Sequence, residues 1–186
     1  MNKLLALLLF STVSTAALAH PGHADSGFLS GILHPVSGLD HILAMLAVGL
    51  WAASFSGKAR WLIPASFVSV MALGFVFGAN GGEVPMMEQG IAASVLVLGL
   101  AAAWVKRVPV AFAALMVGGF ALFHGVAHGS ELGAHGALSF TAGFMIATAA
   151  LHAAGFGIGQ ALNKNVWLLR AAGSAIGLAG LGMLFA

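Results

Sequence analysis

Two short stretches carry nearly all the side chains that could do chemistry. The first is His34-Pro35-Val36-Ser37-Gly38-Leu39-Asp40-His41, and the second is Phe123-His124-Gly125-Val126-Ala127-His128-Gly129-Ser130-Glu131. Together they offer four imidazoles and two carboxylates inside runs that are otherwise Ile, Leu, Ala, Val and Phe. A carboxylate within a membrane span costs roughly 2.5–3.5 kcal/mol, and a bound cation would offset that cost. Nitrogen and carboxylate donors without sulfur suit Ni²⁺, Co²⁺, Zn²⁺ or Cu²⁺ and disfavour Cu(I). The chain has no cysteine to supply a thiolate. The donor set alone does not choose among these ions.

Spacing says which donors can act together. Each helical residue turns about 100°, so on one helix His34 and His41, seven apart, share a face, with Asp40 about a third of a turn away. His124 and His128 are four apart and Glu131 is seven beyond His124, which puts all three on one stripe. Two imidazoles at i,i+4 can chelate one ion. Four further histidines are auxiliary candidates: His20, His23, His135 and His152. A free α-amine on His20 would join its own imidazole in chelation, in competition with a proton near pH ~8. A solvated tail is the blander reading for His20 and His23, and helix packing for His152. Met45, Met86 and Met87 lack a repeated spacing and read as packing.

The elements that must position these groups follow from composition. The chain has 186 residues, 60% hydrophobic and 6% charged, with a mean hydropathy of +1.03. Soluble domains carry about 25% charged residues, so this is an all-α integral membrane protein. Net charge is +2 with no basic stripe, so nucleic acid is not a partner. Met1-Asn2-Lys3, the apolar stretch Leu4 to Phe10 and Ala17-Leu18-Ala19 read as a cleaved secretory signal peptide over residues 1–19. A short periplasmic segment (20–27) and a six-helix transmembrane domain (28–186) follow. The six spans run approximately from Phe28 or Pro35 to Ser54, Trp61 to Ala79, Gln89 to Val105, Val108 to Ala127, Gly136 to Gly159 and Val166 to Phe185, each near the ~20 residues a bilayer needs. Gly129-Ser130-Glu131 reads as one of the breakers between them. Gly173-Ser174-Ala175-Ile176-Gly177 fits the small-xxx-small pattern of close helix packing.

Lys58, Arg60, Lys106, Arg107, Lys164 and Arg170 fall in or beside the first, third and fifth connections. The positive-inside rule puts those connections in the cytoplasm and both mature termini on the periplasmic side of a bacterial inner membrane. Three spans per half run in opposite directions, each half carrying one histidine cluster, which admits a three-plus-three inverted repeat with the site at its interface.

Depth decides whether the clusters meet. With Pro35 in the first helical turn, Asp40 and His41 lie about 8–9 Å below the outer boundary, level with His124, while His34, His128, Glu131 and His135 line the mouth. With the helix starting near Phe28 instead, Pro35 breaks the Gly31 hydrogen bond and Asp40 and His41 approach the midplane. We take the first geometry. His152 falls roughly 24 Å below the outer end of the fifth span, a lower stepping stone.

The first stretch reproduces a His-x5-Asp-His signature and the second a Phe-His-Gly-x-Ala-His-Gly-x-Glu signature, and in both the chain resembles the HupE/UreJ family over its whole length. That resemblance implies a permease for nickel, or the related cobalt, feeding hydrogenase or urease maturation, with cytoplasmic metallochaperones as partners beside the lipid bilayer. It makes His34, Asp40, His41, His124, His128 and Glu131 transport-critical. Nickel is named by the resemblance and not by spacing or composition. No cofactor is permanently bound on this reading; the metal is cargo. No GxxxxGK[ST] loop is present for ATP, and we do not read the chain as an enzyme. Two rivals stand: an intramembrane metal-dependent hydrolase, against which neither cluster has HExxH spacing, and a b-type haem electron carrier with one axial histidine from each cluster.

Overall fold

The computed structural model describes residues 27–104, 108–132 and 137–186. The described residues form seven helices and no strand: α1 (Phe28–Leu33), α2 (Leu39–Ala52), α3 (Ala59–Ala79), α4 (Met87–Trp104), α5 (Val110–Leu132), α6 (Ala137–Leu162) and α7 (Val166–Leu184), with a 3-10 turn at His34–Val36 between the first two. Helices α3 to α7 are each long and apolar enough to cross a membrane. The pair α1 and α2, bent by 82° at its break, passes the same test only when taken together, as a broken span or a re-entrant loop. The protein is an all-helical, multi-pass membrane protein. The signal peptide lies outside the described residues.

The break corrects the expectation for the first span, which is neither a helix begun at Pro35 nor one running through it. Pro35 sits at the start of the 3-10 turn, where its missing N–H leaves no ladder partner wanting. The Ser37 hydroxyl donates to the His34 carbonyl at 2.6 Å, closing the turn. Gly38 is then extended (φ −103°, ψ 125°) and caps α2. Asp40 falls in the first turn of α2, where the exposed N–H groups favour a negative charge. His34 and His41 therefore share no helical face; they stand on either side of a corner.

The fourth span also differs. Gly129, Ser130 and Glu131 do not break it, because α5 continues to Leu132. The cause is packing against α3: a Cβ on Gly125 would overlap the Met71 carbonyl, and one on Gly129 the Phe75 carbonyl. Two backbones in direct contact along that edge hold the last turn helical. Elsewhere α4 pairs with α7, α2 and α1 with α6, and α2 with α4. The small-residue pattern in α7 is indeed a packing device, with Gly173 and Gly177 set against the backbone of α4 at Ala103 and Gly99.

Inside the bundle, Met45, Trp51, Phe67, Met71, Phe140 and Phe144 are buried. Leu73, Leu115, Leu138 and Leu178 point outward, the arrangement a lipid solvent permits. Among the buried residues are four histidines: His41, His124, His128 and His152.

Candidate metal centre

Helix α5 sets the frame. Its edge bearing Gly125 and Gly129 is pressed onto α3, and the Phe123 ring lies where Gly90 of α4 leaves room for it. That fixes the rotation of the helix and turns the stripe His124, His128, Glu131 toward the corner between α1 and α2. The glycines and the phenylalanine of this stretch thus aim its histidines.

The corner brings the first cluster onto that stripe. His34 Nε2 lies 2.8 Å from His128 Nδ1, and His128 Nε2 lies 2.6 Å from His41 Nε2. His41 Nδ1 is 2.7 Å from Asp40 Oδ1, and the same oxygen accepts the His41 backbone N–H at 2.7 Å. Gly38 leaves space for this, since a Cβ there would come within 2.7 Å of that oxygen.

The carboxylate assigns the protons. An ionised carboxylate only accepts, so His41 Nδ1 carries the hydrogen and His41 Nε2 a lone pair. His128 Nε2 must then donate to His41, which leaves His128 Nδ1 as acceptor for the His34 Nε2–H. With one hydrogen on each ring, one polarity runs from the Asp40 carboxylate through His41 and His128 to His34, whose Nε2–H also faces Glu131 Oε2 at 3.3 Å. Carboxylate–histidine pairs of this kind orient metal-ligating imidazoles and raise their basicity.

At the exposed end stands a triad. His34 Nε2, His128 Nδ1 and Glu131 Oε2 lie within 4.8 Å of one another, with edges of 2.8, 3.3 and 3.6 Å. The centre of a triangle with edges of 2.8, 3.3 and 3.6 Å is about 1.9 Å from each corner. Bonds from Zn²⁺, a divalent ion of this class, to nitrogen and oxygen run about 2.0–2.2 Å, so an ion just off the plane would reach all three once the His34 hydrogen moves to Nδ1 and Nε2 offers its lone pair. Exposure falls inward from this triad: 61% for the Glu131 side chain and 32% for His34, then 4% for His128 and 0% for His124.

His124 joins the cluster by ring contact, its centroid 4.6 Å from that of His41 at 86°. Its hydrogen-bond partner is Ser94 of α4, 2.8 Å from Nε2, a residue that belongs to neither signature stretch. The Ser94 hydroxyl donates its one hydrogen to the Ile91 carbonyl at 2.6 Å, so it accepts from His124 Nε2–H. His124 Nδ1 is left with a bare, buried lone pair and no hydrogen-bond partner among the described residues. A lone serine in an apolar helix carries no sequence signal, because its role depends wholly on what α5 presents to it.

The remaining candidates divide. His152, on α6, is 3% exposed and touches the Phe67 ring instead of the main cluster. His20, His23 and His135 lie outside the described residues. Among known proteins, the family model described as HupE / UreJ protein matches residues 7–183. Protein HupE of Rhizobium leguminosarum bv. viciae is 45% identical over 187 residues, covering 98% of this chain and 97% of that one. No solved structure matches the chain. With the family model spanning nearly its whole length and a relative this close from end to end, the chain belongs to the HupE/UreJ family.

Proposed function

We propose that the protein is a permease or diffusion facilitator carrying Ni²⁺, with Co²⁺ as the related cargo, across a bacterial cytoplasmic membrane toward hydrogenase or urease maturation. The observation that carries this reading is the His34–His128–Glu131 triangle, sized for a divalent cation and open at one edge. Family membership narrows the cargo to nickel or cobalt. Glu131 draws the cation in, and His34 and His128 replace its first waters. His41, backed by Asp40, and then His124 with its bare Nδ1 offer the next donors inward. Asp40 acts chiefly through His41 on this reading, since its Oδ1 is committed to that residue.

The orientation rests on the cations: Lys58, Arg60, Lys164 and Arg170 lie at or near the N-terminal ends of α3 and α7, away from the triad, which makes the triad end periplasmic. Residues 1–19 act as the signal peptide, and both mature termini are periplasmic. The pairing of α2 with α6 and α3 with α5, beside α4 with α7, is the pattern a three-plus-three inverted repeat would produce. Cytoplasmic metal-trapping proteins would maintain the gradient. Passage needs binding firm enough to admit the ion and loose enough to release it, which a string of incomplete sites provides better than a closed cage.

The haem alternative is disfavoured by the same geometry. Two axial histidines must stand on opposite faces of a porphyrin, whereas the imidazole nitrogens here are 2.6 and 2.8 Å apart. Uptake of ⁶³Ni²⁺ into liposomes holding the purified protein, competed by Co²⁺, Zn²⁺ and Cu²⁺, tests the proposal. Saturable uptake that Co²⁺ inhibits is expected. Liposomes that stay as tight to nickel as protein-free ones would overturn it.

A further inference from the structure

The main cluster ends at His124, and the bundle continues below it. His152, on α6, is 3% exposed, and neither of its ring nitrogens has a hydrogen-bond partner among the described residues. A buried imidazole without partners forgoes hydrogen bonds it would make in water, a cost of about 1–3 kcal/mol for each unsatisfied group. A packing histidine would be expected to bond a backbone carbonyl or a hydroxyl, and this one does not. The ring is set edge-on to Phe67, centroids 5.1 Å apart. Phe67 is fully buried and also packs on His124, centroids 5.5 Å apart. The same phenyl ring therefore touches the last imidazole of the cluster and the isolated one beyond it. On its other side His152 borders an open apolar groove of about 320 Å³ between α3 and α6, lined also by Trp61, Pro64, Val68 and Phe156 and reaching Arg60. Arg60 lines as well a polar cavity of about 400 Å³ with Ser54, Ser56, Gln160 and Asn163.

We propose that His152 is an inner station for the transported cation, receiving it from the bare Nδ1 of His124 past the Phe67 ring and releasing it toward the polar cavity lined by Ser54, Ser56, Gln160 and Asn163. The inference rests on the permease reading. It assigns a ligand on a helix that neither signature stretch includes. The Phe67 ring stands between a carboxylate-bearing outer set of donors and a single inner imidazole. An ion that has lost Glu131 and Asp40 as countercharges is held weakly at His152, as a release site requires.

The absence of cysteine from the chain makes the test clean. Purified wild type, His41→Ala, His152→Ala and His152→Cys are compared for Ni²⁺ binding in detergent and for ⁶³Ni²⁺ influx into liposomes. His152→Ala is expected to keep wild-type Ni²⁺ affinity at the outer donors yet lose influx on the ten- to hundredfold scale typical of a damaged metal site. His152→Cys, which restores a donor, is expected to regain influx and to be blocked by Cd²⁺ at concentrations well below those that inhibit the wild type, since thiolate prefers the softer ion. Wild-type influx in His152→Ala, while His41→Ala is inactive, overturns the inner station and leaves the permease reading standing. Equal loss in His152→Ala and His152→Cys, with both folded and binding normally, assigns His152 a structural role and also overturns it. A wild type that neither binds nor admits nickel overturns both readings together.

Discussion

His34 Nε2 and His128 Nδ1 stand 2.8 Å apart across 94 residues of sequence, one in a 3-10 turn and the other in the last turns of α5. The contact makes the corner at Ser37–Gly38 and the α3–α5 interface parts of one device. Move either and the triad with Glu131 opens.

Glu131 is the exposed member of that triad. Glu131→Gln keeps its size and a hydrogen-bonding oxygen but removes the charge. Ni²⁺ affinity is expected to fall about ten- to hundredfold with no change in thermal stability, read by equilibrium dialysis with ⁶³Ni²⁺ beside a melting curve in detergent. Unaltered affinity would remove Glu131 from the site.

On the proposed reading Asp40 acts through the proton of His41, to which its Oδ1 is bonded. In Asp40→Asn the amide can donate as well as accept, so the Nδ1–H tautomer of His41 is no longer enforced and the polarity through His128 to His34 is lost with it. Influx is expected to drop by about ten- to hundredfold while the protein inserts and purifies as wild type. A variant that transports normally would mean that His41 needs no carboxylate behind it.

The aim of α5 depends on backbone contact. Gly125→Ala and Gly129→Ala each push a methyl into a carbonyl of α3, a strain of about 1–3 kcal/mol. They are expected to lower the melting temperature and to weaken nickel binding together, because the histidine stripe rotates as the helices part. Gly119→Ala on the same helix meets nothing within 4 Å and gains up to ~1 kcal/mol of helix propensity. A melting temperature unchanged or raised in Gly119→Ala and lowered in the other two is the expected pattern; equal effects in all three would mean that the close approach is not what matters.

Much of this was legible in the chain itself. The His124–His128–Glu131 stripe follows directly from the helical period, and five of the spans follow from their length and apolar composition. The corner at Ser37–Gly38 is not, because an apolar run through His34 to Ala52 reads as one helix, whereas α1 and α2 pack on successive stretches of α6 across a bend of 82°. Gly129-Ser130-Glu131 looked like a breaker because propensity counts glycine against a helix, whereas here glycine is what lets α3 and α5 touch. Ser94 and Phe67 were invisible for a related reason. Each is an ordinary residue of an apolar helix until another helix sets a histidine beside it.

Ser94 gives the last test. Its hydroxyl hydrogen is spent on the Ile91 carbonyl, so its oxygen is the acceptor that holds the His124 hydrogen on Nε2. Ser94→Ala leaves that N–H buried and unpaired, at a cost of about 1–3 kcal/mol, and frees the ring to take the other tautomer, with the hydrogen on Nδ1 and the lone pair facing α4. The variant is expected to melt lower than wild type and to pass nickel more slowly, while the triad at the exposed end, formed by other residues, keeps its affinity in equilibrium dialysis. Ser94→Thr retains the hydroxyl and is expected to recover influx ahead of stability, because its extra methyl must fit a site that is completely buried. Influx that falls in Ser94→Ala and does not recover in Ser94→Thr, at matched protein stability, would show that the tautomer of His124 is not what Ser94 controls.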